Sequence, residues 1–474
     1  MITPRFSCSQ NEESVVVKIY CPSVRASDIE INVDDTLFTV HINPYYLRLN
    51  FSQSLLEDDE SSAQYDPSSG YLTVTLTKAE KGQVFKDLDL LSKLLAPRLT
   101  EPPPGNPIIE VLDSDDAADI QTDEDALVQA TESLTLEQNE ILEAAESDWQ
   151  LKQEVPEPLS SLRTSPTDRY GFLDSYSGYF THVEHTENEV NELGSEAETL
   201  PKSDRRKHRI EHEEKKWDEE YYLADYADGE HIQELLCWRH PHLQLPDVSY
   251  TPEEELAMLN LPRKEYLASP LQTRQLYLTL LTLLFAYAYE SRTTQHDPTP
   301  ESGWTLGILI PAFSALDPPP YTDKSTNDPS TFSIEEVIST FVASYRRSLA
   351  FPLYRSFALA ESCRSDVASF LSKGRRMVLR CLLEMKYILD HHDVYYVYSK
   401  IWIDDFCVWI QANASDETLH QLGSLICSLK IPKADIGWDL EELEALVSNS
   451  EVGREADSDD ESEDEVERML PTPL

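Results

Sequence analysis

The hydrophobic period of this chain changes once along its length, and that change constrains the fold more than any other feature. Within residues 1–100 apolar side chains alternate with period two: Val15, Val17 and Ile19, then Ile29, Ile31 and Val33, then Phe38, Val40 and Ile42. Leu47, Leu49 and Phe51 follow, then Leu72, Val74 and Leu76. Such alternation puts one face of each short strand on a core. Turn formers separate the runs: Cys21-Pro22, Asp34-Asp35, Asn43-Pro44 and Asp66-Pro67-Ser68-Ser69-Gly70. Strands at this spacing, with no helical pattern between them, predict an antiparallel sandwich. Leu88, Leu90, Leu91, Leu94 and Leu95 then predict a short helix that docks on the sandwich edge.

From about residue 165 to 450 the period becomes 3.6. Ser333 precedes the stripe Ile334, Val337, Ile338, Phe341, Val342, Tyr345 and Leu349, with Glu336 placed to complete a capping box. The segment 375–392 is apolar almost all round, which predicts a central helix. Leu276 to Tyr289 is too short to span a bilayer, which takes about 20 residues, and reads as a buried core helix. Ser415 caps a further stripe, Leu419, Leu422, Ile426 and Leu429, which Ile431-Pro432 ends. Strands and helices do not alternate, so this half is all-α. The expected fold class is therefore multidomain: an all-β antiparallel sandwich over 1–100, a larger all-α domain over 165–450, and acidic disordered segments elsewhere.

Those segments stand out by charge. Residues 101–150 hold fifteen acidic side chains and no Lys or Arg, starting from Pro102-Pro103-Pro104-Gly105, so 101–164 reads as a disordered linker. Residues 451–474, with ten acids and two bases, read as a disordered tail. The whole chain carries −48, and residues 151–450 alone carry −20. Such a surface repels nucleic acid and anionic membranes and steers basic proteins toward it. The seven cysteines form no CxxC pair, and the first ten residues show no signal-peptide pattern, which suggests reduced thiols in a nuclear or cytosolic setting.

Catalytic patterns are missing. Thirteen glycines leave little room for a phosphate loop, and no G-x-S-x-G elbow is present. His208 and His212, four apart beside Glu213 and Glu214, read as part of a solvated charged helix rather than a metal site. No cofactor, metal or enzymatic activity is expected. His391-His392 should meet the last carbonyls of a helix. The helix over 394–411 carries Asp405 on its apolar stripe, with Asp404 adjacent and Trp402, Phe406 and Trp409 beside them. Two readings stand. Asp405 accepts a hydrogen bond from a Tyr or Arg inside a packed interface, or Asp390, Asp393, Trp402, Asp404, Asp405 and Trp409 form a docking patch for a partner's Lys and Arg. Ile108, Ile109, Val111 and Leu112, followed by Asp113-Ser114-Asp115-Asp116, resemble a SUMO-interacting motif. Ser458 and Ser462, each before an acidic triplet, are candidate phosphosites.

Longer stretches carry a family resemblance. MITPRFSCSQ, the sandwich pattern and YLTVTLTKAEKGQVFKDLDLLSKLLAPR resemble the CS-type, small-heat-shock-protein-like domain of the H/ACA ribonucleoprotein assembly factors that chaperone dyskerin. Tyr170-Gly171-Phe172 with Tyr176-Ser177-Gly178, EEKKWDEEYYLADYADGE, LPRKEYL at 261–267, SYRRSLAFPLYRSF and the run from Gly374 to Asn413 resemble that family's helical domain. Two places depart: Leu173-Asp174 where the family tends to Gly-Asn, and Trp217 and Tyr221 where it has Phe and His. The resemblance implies a monomeric chaperone that binds the RNA-binding face of the pseudouridine synthase as an acidic RNA mimic. It further implies release by a remodelling ATPase complex, and residence in nucleoplasm and cytoplasm. Trp217, Tyr221, Tyr222 and Tyr226 are expected as core anchors. A general co-chaperone of the ninety-kilodalton heat-shock protein, working through the sandwich, is the alternative.

Overall fold

The computed structural model describes residues 2–25, 29–58, 61–96, 168–227, 229–322, 332–351 and 354–453. The expected linker, the SUMO-interacting-like residues Ile108, Ile109, Val111 and Leu112, and the phosphosites Ser458 and Ser462 lie outside the described residues. The chain divides into two compact units. One contains the N-terminal β domain together with residues 263–267, and the other is the helical remainder.

The β unit is a two-sheet sandwich. Strands β1 (Arg5–Gln10), β2 (Ser14–Tyr20), β3 (Glu30–Asp34), β4 (Leu37–Ile42), β5 (Tyr45–Asn50), β6 (Leu55–Leu56), β7 (Ser62–Asp66) and β8 (Tyr71–Lys78) follow in chain order. One sheet runs β1-β2-β8-β6 with β7 also paired to β8, and the other runs β3-β4-β5. Every ladder is antiparallel, with Val17 opposite Val74 and Val40 opposite Leu47. The alternating residues do bury: Val15, Val17, Leu72 and Val74 from one sheet meet Phe38, Val40, Leu47 and Leu49 from the other. Each such side chain contributes about 1.5–3 kcal/mol by leaving water. Gly70 sits at φ +71°, where a Cβ would lie 3.1 Å from the Cα of Pro22, so this turn needs glycine. Strands β1, β6 and β7 carry too few buried residues to show alternation. The leucine-rich patch forms the helix Leu91–Leu95, with Leu91 and Leu94 buried.

In the helical unit the helix Pro270–Thr293 is the core, every residue from Leu276 to Arg292 being buried. Ser269 and Gln272 close a capping box at its start, as Ser333 and Glu336 do for Ile334–Ala350. Ser415 caps Asp416–Ser428 as expected, accepting from the Thr418 amide. The helix Arg375–Asp390 is one-sided rather than buried all round: Leu379, Leu382 and Leu389 face inward, while Tyr387 is 64% exposed. Arg375, Arg376, Arg380 and Glu384 are half-buried along its side, and Tyr387 and Asp390 reach the surface, which a tally of its apolar residues understates.

The helix Lys202–Lys216 corrects a second expectation. Almost without apolar residues, it is not solvated all round, because one charged face turns inward while the others stay exposed. Arg205, Arg209 and Glu213 are buried, while Ile210 is 45% exposed. Arg209 bonds Glu213 at 2.7 Å and Asp317 at 2.8 Å. Arg346 reaches Glu213 at 3.0 Å and Glu214 at 2.8 Å. Arg347, fully buried, pairs with Glu192, lies 3.5 Å from Glu213, and its Nε donates to the Ile308 carbonyl. His212 Nδ1 lies 3.2 Å from the other oxygen of Glu192. A buried ion survives only with such partners, and removing one typically costs about 3–5 kcal/mol.

Burial pushes the Glu192 carboxyl up, but Arg347 and His212 beside it outweigh burial and hold it at about 2, below its ordinary 4.5. A depressed folded pKa adds stability that is complete above pH 4.5 and is lost as pH falls toward 2. Glu192→Gln should therefore destabilise the domain by about 3–5 kcal/mol at neutral pH and make the acid limb of its stability curve shallower. Denaturant unfolding across that pH range measures both effects.

Candidate protein-interaction surface

The segment expected as one helix over 394–411 is built in three parts. An α turn at Tyr396–Tyr398 leads into a π turn at Ser399–Ile403, and the α-helix Asp404–Ala412 follows. A π turn inserts one residue into the helix and shifts the faces beyond it. Here it sets Asp404 and Asp405 inside the unit, 8% and 1% exposed, and Trp402 and Trp409 inside as well, 2% and 1% exposed.

Each of these four has an internal partner. Asp405 accepts from the Tyr176 hydroxyl, and burial followed by this carboxylate pushes the Tyr176 phenol well up. Asp404 receives Lys386 on one oxygen and Lys400, at 3.0 Å, on the other. Burial alone would push the Lys386 ammonium down, but its bonds to Asp390 and Asp404 outweigh it and the pKa rises. The Trp402 indole donates to the Ala312 carbonyl at 3.1 Å. Trp409 packs edge-on to Tyr277 with ring centroids 4.9 Å apart. The docking-patch reading is thus corrected for Trp402, Asp404, Asp405 and Trp409. Their burial and internal pairing withdraw them from any surface, and the packed-interface reading describes them.

The motif around Tyr170 explains what the buried carboxylate holds. Phe172 meets Phe406 edge-on at 5.1 Å, and a Cβ on Gly171 would lie 2.8 Å from the Ile401 carbonyl oxygen. Gly171, at φ +81°, lets this strand of chain lie directly on the π turn, and the Tyr176–Asp405 bond fastens it there. Tyr170 donates to buried Glu198 at 2.5 Å, and Glu198 also accepts the Gly178 and Phe180 amides. Leu173 and Asp174 follow in the left-handed region, at φ 51° and 53°. Glycine and asparagine adopt that conformation at little cost, whereas leucine pays about 1–2 kcal/mol.

Asp390 and Asp393 remain at the surface, but Asp390 is held by Lys386 at 2.7 Å and so pairs internally as Asp404 does. Asp393 lies in the turn His391–Tyr395, where His391 Nδ1 meets the Tyr387 carbonyl at 2.7 Å, the expected role at a helix end. His392 stacks on Tyr395 with centroids 3.9 Å apart and planes 9° apart. Burial pushes the Tyr395 phenol up, and the facing carboxylates Glu189 and Glu301 add to it. Both are exposed, as is Tyr396 at 37%. Asp393, Glu189, Glu301, Tyr387 and Tyr396 therefore gather at one turn, an anionic and aromatic rim on the helical unit. The rim residues outside 390–396 come from distant points of the chain, and no sequence spacing announces them. Of the expected anchors, Tyr222 is buried and Trp217 stacks on Trp438 at 4.2 Å, whereas Tyr221 and Tyr226 are exposed.

A β sandwich joined to an acidic all-α body defines a two-domain protein of one all-β and one all-α unit. Residues 3–95 match the family described as SHQ1-like, CS domain, and residues 241–440 match SHQ1 protein, Shq1 domain. The chain is 35% identical to Protein shq1 of Schizosaccharomyces pombe over 480 residues, covering 98% of this chain and 99% of that one. It is 31% identical to the SHQ1 homolog of Xenopus tropicalis over 94% of this chain and 69% of that one. The mouse homolog is 29% identical over 96% of this chain and 78% of its own length. The chain belongs to the SHQ1 family, the assembly factors whose marks its sequence carries.

Two substitutions check the geometry. Leu173→Gly should relieve the left-handed strain and raise stability by up to about 1 kcal/mol, read as a higher denaturant midpoint. Asp404→Lys with Asp405→Lys should abolish the helical circular dichroism signal, whereas Asp393→Lys should leave it unchanged.

Proposed function

We propose that this chain is a non-catalytic assembly chaperone for box H/ACA ribonucleoprotein. Its helical domain binds the RNA-binding face of a dyskerin-type pseudouridine synthase in place of RNA. The single observation that carries this reading is the exposed rim of Asp393, Glu189 and Glu301 at the His391–Tyr395 turn, on a region whose net charge is −20. A groove that grips RNA does so chiefly with Lys and Arg against phosphates. A rigid array of carboxylates with tyrosines at its border offers those cations the same partners, and aromatic anchors beside it add buried area. Membership of the SHQ1 family supports the same reading.

Such a mimic keeps the synthase soluble and away from wrong RNAs, and a remodelling ATPase complex would strip it off at assembly. Its route through nucleoplasm and cytoplasm would follow that of the partner. The linker motif for SUMO and the two tail serines would tune the same encounter through added contacts or charge. The CS-type sandwich leaves a second reading, a co-chaperone of the ninety-kilodalton heat-shock protein working through residues 1–100. Pull-down with that fragment alone separates the two, because the first reading puts the synthase contact in the helical domain.

Asp393→Lys with Glu189→Lys should weaken synthase binding at least tenfold by calorimetry, which corresponds to about 1.4 kcal/mol or more, and leave the circular dichroism spectrum intact. Unchanged affinity in the folded variant would move the contact elsewhere.

A further inference from the structure

Away from the rim, a second cluster gathers metal-ligand side chains that neither the fold nor the proposed binding uses. His242, His296 and Glu384 each bring one donor atom to a common place, all within 4.8 Å of one another. They arrive from three separated elements. His242 lies in the short helix Pro241–Gln244, Glu384 on Arg375–Asp390, and His296 just past the end of the core helix Pro270–Thr293. His242 Nε2 is 2.6 Å from one oxygen of Glu384, and His296 Nδ1 is 3.8 Å from the other.

The surrounding bonds orient the ligands. The His242 amide donates to His240 Nδ1 at 3.2 Å, so that nitrogen is unprotonated. His240 Nε2–H can then donate to the Tyr287 hydroxyl, 3.0 Å away, and Tyr287 donates in turn to Glu384. Metal-binding carboxylates and imidazoles are commonly held by such outer partners. Gln295 and His296 both sit at positive φ, 54° and 66°, an unusual backbone for two consecutive side-chain-bearing residues, and one that turns His296 back over the helix end.

The cluster also has an open side. A cavity of about 260 Å³ borders His296 and Glu384, with Glu253, Glu254, Tyr287 and Glu290 on its walls. The nearest cation, Arg380, lies 3.7 Å from Glu384 but is drawn 3.1 Å from Glu254 and donates to the Ser249 carbonyl. With one carboxylate answering Arg380, the other leaves the cluster anionic.

We propose that His242, His296 and Glu384 form a binding site for a divalent transition-metal ion of the zinc class, with a fourth position open to the cavity. Two imidazoles and one carboxylate are a known zinc donor set, with ligands at about 2.0–2.2 Å and an open position where a site is not purely structural. The ion binds His242 Nε2 in the neutral Nδ1–H tautomer, so the proton that Nε2 shares with Glu384 moves to Nδ1 or, from a doubly protonated ring, to solvent, and His296 closes from the cavity side. It ties three elements together, so it stabilises the helical unit on binding.

The test uses the full chain without an affinity tag, stripped by chelator and titrated with zinc chloride by calorimetry. One saturable equivalent at micromolar or tighter dissociation constant is expected, with a thermal midpoint several degrees higher. His296→Ala, at a half-buried position, should keep the fold and lose that equivalent, and Glu384→Gln should weaken it at least tenfold. If either variant fails to fold, cobalt(II) loaded into the native chain decides. Visible absorption of four- or five-coordinate intensity supports the site, and a spectrum like that of the hydrated ion overturns it. Absence of a saturable equivalent, or one that persists in both variants, also overturns it.

Discussion

The helical unit depends on the pairing of buried arginines with buried carboxylates. Arg209 and Arg347 reach Glu192, Glu213 and Asp317 from four segments of chain, and Arg346 reaches the same Glu213 from the cluster's edge. Arg292 grips Asp366 with two nitrogens, at 2.5 and 2.9 Å, and its third nitrogen caps the carbonyls at the end of Glu230–Cys237. No member of such a network can leave water unless the others are already in place. Its members therefore bury together, and packings that leave one of them unpaired are costly.

That interior has a consequence for the outside. Arg205, Arg209, Arg274, Arg292 and Arg347 are all 3% exposed or less, so cations the sequence counts toward neutrality are spent in the core. Glu192, Glu213, Asp317, Glu336 and Asp366 cancel four of them there, while Arg205 bonds the carbonyls of Leu200 and Ala197. The acidic excess over residues 151–450 is −20, and members of it such as Asp393, Glu189 and Glu301 face solvent. Carboxylates set on folded elements keep a defined spacing, which a flexible acidic peptide does not.

Much of the architecture was legible because solvent writes it into the sequence. Period two in 15–76 and period 3.6 after 330 are each the signature of one buried face, and capping pairs such as Ser333 with Glu336 mark helix starts. Charged residues mislead where they are buried. The helix Lys202–Lys216 reads as solvated because its inward face is ionic, and only the distant Glu192, Asp317 and Arg347 make that face tolerable. Asp405 was readable as an anomaly on an apolar stripe, but its donor, Tyr176, lies 229 residues away in sequence, and no local pattern names it. The same holds for the rim, where Glu189 and Glu301 join Asp393, and for the metal-ligand cluster, whose three residues span 142 positions. Leu173 is a further case: it and Asp174 stand in the left-handed region, which aspartate tolerates and leucine does not, and nothing in the local sequence announces it.

The central claim is that the acidic helical body occupies the place of RNA on a basic partner. Titrating the chain into a preformed complex of a dyskerin-type synthase with fluorescent guide RNA, at several salt concentrations, tests it most directly. The account predicts mutually exclusive binding, with RNA displaced as chain is added and an affinity that falls steeply as salt rises. A stable ternary complex, or an affinity indifferent to salt, would contradict it.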